Sequence, residues 1–107
     1  MPNSPTDNII IARLTGTAKR HTRRPLSADQ HDAAVTELAD IAAGRADLLA
    51  QAAGLTAGFY GGHPDEDRHL RAAQLCIEAG ADVSQVTRWT EEGHRRAAHA
   101  RATRQHR

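Results

Sequence analysis

A chain of 107 residues with a formal net charge of +1, one Phe, one Tyr, one Trp and one Cys has room for a single small domain and none for an intrachain disulfide. Its apolar fraction of 39% is heavily alanine, which buries little area per residue at about 25 cal/mol per Å², so composition favours self-association over a large private core. No apolar run approaches the roughly 20 residues that span a bilayer, which excludes a helical membrane protein and, with the unpaired Cys76, predicts a cytoplasmic chain without a membrane partner.

The near-neutral total hides a strong segregation. Residues 1–26 carry five Lys/Arg against one acid, residues 27–92 carry four against twelve, and residues 93–107 carry five and no acid. An acidic body between two basic ends is the arrangement.

Along residues 1–26, Pro2, Pro5, Gly16 and Pro25 punctuate a basic, Thr-rich segment with no sustained helical period, which predicts a disordered basic N-terminal arm. Within it, "IIIARL" at 9–14 could dock as a short strand or a helical turn. Order is expected from Ser27, whose spacing to Gln30 is that of a capping box. From there Ala34, Val35, Leu38, Ile41, Ala42, Leu48, Leu49, Ala52, Leu55 and Phe59 hold one stripe at spacings of three and four, predicting one long helix over about 27–60. Gly44 costs about 1 kcal/mol inside a helix, but the stripe keeps its phase across it, so a continuous helix is expected. Arg45 then falls on the apolar face, where it would snorkel or pair with Glu66 or Glu78. Gly54 and Gly58 give the same helix a small-residue face, read as tight packing within one chain rather than a dimer seam.

Gly61-Gly62 ends that helix. Pro64 followed by Asp65, Glu66 and Asp67 predicts a second helix over about 64–79, with acids at the positive end of its dipole. Cys76, between Leu75 and Ile77, reads as a buried structural thiol. Asp82 and Gln85 start a third helix over about 83–102, and residues 101–107 read as a frayed basic tail. The expectation is therefore an all-α, three-helix domain over 27–100. The stripe around Val35, Leu38 and Ile41 must then be covered by the third helix, by the N-terminal segment or by another copy in a homo-oligomer.

Three groups of residues bear on function. "RAAQLCIEAGADVSQVTRWTEEG" at 71–93 resembles in part the helix-turn-helix of excisionase and MerR-type DNA-binding proteins. The resemblance rests on Ala72, Ala73 and Leu75 in the first helix and Val83, Ser84, Val86, Arg88, Trp89 and Gly93 in the second. It implies base reading by Ser84, Gln85 and Arg88, although Glu91 and Glu92 beside them would oppose phosphates. The basic ends supply Lys19, Arg20, Arg23, Arg24, Arg95, Arg96, Arg101 and Arg104 for a nucleic-acid backbone or an acidic protein. No aromatic residue interleaves them, which disfavours stacking on single strands. Finally, Glu66-x-x-His69 and Glu91-x-x-His94 have the spacing of di-iron helical bundles, an alternative weakened by the outward projection of Glu91. Residues 38–98 as a whole resemble small uncharacterised helical proteins of actinobacteria, through "LADIAAGRADLLAQAAGLTAGFY" and "AGADVSQVTRWTEEGHRRA". That resemblance implies a helical fold and no activity. The expected function is that of a small non-enzymatic accessory or regulatory binding protein with no cofactor.

Overall fold

A computed structural model describes residues 3–105. Among them lie five helices: α1 Pro5–His21, α2 Ala28–Ala42, α3 Ala46–Phe59, α4 Glu66–Glu78 and α5 Val83–Gln105. The all-α expectation holds, but three helices become five, through one added helix and one break.

The added helix is α1, where a disordered arm was expected. Ser4 Oγ accepts the Asp7 amide at 3.1 Å, Pro5 occupies the first turn, and Lys19, Arg20 and His21 sit at the negative end of the dipole. Its buried stripe is thin, only Ile11, Leu14 and Ala18, which is why no long period was visible. Gly16 does not interrupt it, because its position faces open space and costs only helix propensity. Pro2 lies outside the described residues.

The break falls at the glycine expected to be spanned. Ala43 adopts φ 50° and Gly44 φ 83°, ending α2 in a left-handed turn, and Arg45 becomes the residue before α3. The two halves have different burial needs. In α2 one face is buried, at Ala34, Leu38 and Ala42; in α3 every residue from Leu48 to Gly54 is buried. A helix buried all round needs neighbours on every side, and a straight continuation into α2 would carry it out of that shell. Leu48 and Leu49 are inward on either reading. Arg45, placed by sequence on the apolar face, is instead exposed at the turn. It donates to Asp47 at 2.9 Å and to Asp7 at 3.2 Å, not to Glu66 or Glu78.

Around α3 the other helices assemble a core whose largest fully buried side chains include Leu14, Leu38, Leu48 and Leu75. The Leu38 stripe is covered by α1 and α4 of the same chain. Cys76 is buried in this core, and desolvation pushes its thiol up to about 12.

The closest packing is between α3 and α5. A Cβ on Gly54 would lie 2.7 Å from the Val86 carbonyl oxygen and 2.8 Å from the Thr90 nitrogen. One on Gly93 would lie 2.8 Å from the Leu55 oxygen, and Gly58 faces the Thr90 carbonyl with no room for a side chain. The small-residue face thus meets a helix of its own chain, backbone against backbone. The two helices run parallel, from the Asp82 N–H donating to the Ala46 carbonyl at 3.0 Å to His94 beside Gly61. Helix α4 begins at Glu66, two residues later than expected, because Pro64 and Asp65 belong to the preceding turn.

Candidate nucleic-acid interface

Helix α1 lies beside α3 in the same direction. Asn3 Nδ2 donates to Gln51 Oε1 at 2.9 Å and Asp7 meets Arg45 near one end, while Lys19 meets Tyr60 at the other. With α5 also parallel to α3, the C-terminal part of α1, the end of α3 and the second half of α5 gather at one end of the molecule. Basic side chains separated by some 75 residues in sequence, Lys19 and Arg96, therefore share one groove. Arginines and lysines at the ends of parallel helices also complement the summed dipoles.

Aromatic side chains occupy the middle of this end. Lys19 Nζ donates to Tyr60 Oη at 3.0 Å and lies 4.6 Å from the ring centroid. The Tyr60 ring stacks on His69 at 3.5 Å with planes 4° apart, and Phe59 meets it edge-on at 5.1 Å. Phe59 is a large apolar side chain left 37% exposed. Two shallow grooves share this aromatic pair. One, about 240 Å³, has Arg101, Arg104, Ala97 and His63 on its walls; the other, about 230 Å³, has Lys19, Thr15, Leu55 and Arg96. The sequence showed no aromatic residue among the basic segments; the tertiary fold brings two there.

The predicted basic residues separate into groups. Lys19, Arg96, Arg101 and Arg104 surround Phe59 and Tyr60. Arg101 and Arg104 are exposed and make no ion pair among the described residues. Arg95 and Arg96 share the Glu92 carboxylate, Arg96 at 3.2 Å. Arg20 is held by Glu37 at 2.8 Å, and the bonds from His21 and Arg20 keep that carboxyl below its usual range. Arg23 and Arg24 line grooves at the α1–α2 connection with Pro25 and Leu26, away from the aromatic pair.

The base-reading trio has other work. Ser84 Oγ donates to Asp82 Oδ1 at 2.6 Å and Gln85 Nε2 donates to Asp82 Oδ2 at 3.0 Å, an N-terminal cap for α5. Arg88 lies 5.1 Å from the centroid of the Trp89 ring. Helix α5 packs along α3, not on α4, so residues 71–93 are not held as a compact helix-turn-helix.

The two Glu-x-x-His pairs are not brought together either. Glu66 Oε2 accepts the Gly62 amide at 3.0 Å, Glu91 is exposed, and His94 lies against Gly61. His69 instead faces His63 and Asp65, with one donor atom from each of the three lying within 4.8 Å of the others. The spacing His63-x-Asp65-x-x-x-His69 carries that signal, masked in the sequence because the same acids suit the start of a helix dipole. His69 is buried, its Nδ1 has no hydrogen-bond partner among the described residues, and burial, then Lys19 and Arg68, lower its pKa and keep it neutral at pH 7.

The chain matches no family model, no curated protein and no solved structure. What the site can do therefore rests on its own chemistry: exposed cations for phosphates and a partly exposed ring for a base.

Proposed function

We propose that this is a small non-enzymatic binding protein that holds nucleic acid at the Phe59–Tyr60 end. Lys19, Arg96, Arg101 and Arg104 contact the backbone, and Phe59 offers its face to an unpaired base. The observation that carries the reading is that Lys19 of the first basic segment meets Arg96, Arg101 and Arg104 of the second around a partly exposed aromatic side chain. Stacking of a base on such a ring is worth about 1–3 kcal/mol, and each neutralised phosphate adds to the salt dependence. The acids of α2 support it by their placement, while Glu92 at the site is neutralised by Arg95 and Arg96. Asp29, Asp32, Glu37 and Asp40 ride on α2, which packs against α1 and α4 rather than α5. The acids at the start of α4, Asp65, Glu66 and Asp67, bound the footprint on that side.

The test is fluorescence anisotropy with labelled single-stranded and duplex oligonucleotides at low salt, repeated as salt rises. Single strands are expected to bind more tightly than duplex, and the logarithm of the binding constant should fall linearly with that of the salt concentration. Phe59→Ala should weaken the single strand by about tenfold, within the range for one stacked base, and the duplex far less. Absence of binding at low salt, or binding that survives loss of Lys19, Arg96, Arg101 and Arg104 together, overturns the proposal. Binding of an acidic polypeptide but of neither oligonucleotide assigns the same surface to a protein partner instead.

A further inference from the structure

We propose that His63, Asp65 and His69 form a binding site for one divalent transition-metal ion of the zinc class, a site that borders the oligonucleotide surface through His63 and Tyr60. Two imidazoles and one carboxylate are a donor set that such ions accept, with water completing a tetrahedron. All three donor atoms already lie within 4.8 Å of one another. A tetrahedral ion with bonds of about 2.0–2.2 Å draws its donors to roughly 3.3–3.6 Å, so capture needs a modest closing of the cluster.

The structure divides that closing unevenly. His69 is fixed: it is only 6% exposed, projects from the first turns of α4 and is clamped face to face on Tyr60. His63 and Asp65 are exposed and lie on the turn between α3 and α4, where the side chains can move inward. The Asp65 amide donates to His63 Nδ1 at 3.0 Å, which holds the ring within reach of the carboxylate and can be exchanged for the metal bond.

The His69 ring is also under-bonded within the described residues. His69 Nδ1 is a buried polar atom with no partner among the described residues, and buried polar atoms are ordinarily satisfied. A neutral, proton-free imidazole nitrogen is the form that binds metal. Lys19 and Arg68 oppose a cation here, while Asp65, Glu66 and Asp67 favour it. Glu91 and His94 take no part, so this site differs from the paired Glu-x-x-His arrangement.

The experiment uses the full chain without an affinity tag. Zn²⁺ is titrated by calorimetry and Co²⁺ by its visible absorption, whose intensity reports tetrahedral coordination. The expected result is one ion per chain, intense Co²⁺ absorption, and no comparable uptake of Mg²⁺. His63→Ala and Asp65→Asn, both at exposed positions, should each weaken binding at least tenfold with unchanged helical circular dichroism; Glu91→Gln and His94→Ala should leave it unchanged. Binding that is absent, that is equally strong in His63→Ala and Asp65→Asn, or that is lost only with His94→Ala overturns the site. Oligonucleotide binding by metal-free protein is scored separately, so failure here leaves the nucleic-acid reading to its own test.

Discussion

The basic residues of α1 and those of α5 are alike in composition and differ in what the fold does with them. In α1, Arg20 spends its charge on Glu37, His21 joins the same carboxylate, and only Lys19 turns toward the aromatic end. In α5, Glu92 must serve both Arg95 and Arg96, and beyond it Arg101 and Arg104 meet no acid among the described residues. Counting basic residues overstates a binding surface, because a cation already paired on its own protein, as Arg20 is with Glu37 and Arg96 with the shared Glu92, contributes less to a phosphate contact than Arg101 or Arg104. What remains available is decided by which acids the packing brings into reach.

The seam between α3 and α5 sets the two segments side by side. Gly58→Ala drives a methyl into the Thr90 carbonyl and should cost about 1–3 kcal/mol in urea denaturation, with oligonucleotide affinity falling as α5 is pushed from α3. A Gly58→Ala protein as stable as the parent would show that the helices are not in backbone contact. Next in size, Arg101→Ala combined with Arg104→Ala should reduce the salt slope of single-strand binding by about 1.4, at roughly 0.7 per phosphate. Arg20→Ala should leave that slope nearly unchanged. An equal effect from both would erase the distinction between the two segments.

Smaller effects come from the groups that hold the end together. His69 has a folded pKa lowered from 6.5, so the unfolded chain takes its proton first as pH falls. Its contribution to stability is fully present above pH 6.5 and is lost as pH drops through the lowered folded value. In chelator-treated protein, His69→Phe should flatten the stability profile below pH 6.5; an unchanged profile would place the titration elsewhere. Glu37→Gln should cost only a few tenths of a kcal/mol at pH 7, since the pair is exposed and screened. Because the Glu37 pKa is lowered, that difference should vanish as acid protonates the carboxylate. The same substitution releases Arg20 and should slightly tighten oligonucleotide binding, bringing α1 nearer to α5.

Local chemistry wrote much of the fold directly into the chain. The Ser27–Gln30 capping box forms as spaced, with the Gln30 amide donating to Ser27 Oγ at 3.2 Å and the Ser27 amide to Gln30 Oε1 at 3.0 Å. The approximate spans of α4 and α5 and the burial of Leu38, Leu48, Leu49 and Cys76 followed from period and composition, because these depend on neighbours three or four residues away. Helix α1 was hidden because only Ile11, Leu14 and Ala18 face inward. The turn at Ala43–Gly44 was hidden because α3 is buried on all sides, so its apolar positions fit a continued stripe as well as a new direction.

The candidate site was legible only in parts. Lys19, Arg96, Arg101 and Arg104 could be named as cations and His69 as a donor, but not the company they keep. That α1, α3 and α5 run parallel, and so bring Lys19, Tyr60 and Arg101 to one end, depends on contacts between residues tens of positions apart. The chain alone shows the capped start of α2, the approximate spans of α4 and α5 and where charge lies along it, since those follow from short-range energetics. Tertiary packing alone decided which charges are spent on each other and which remain facing Phe59, because that requires knowing how the helices are laid side by side.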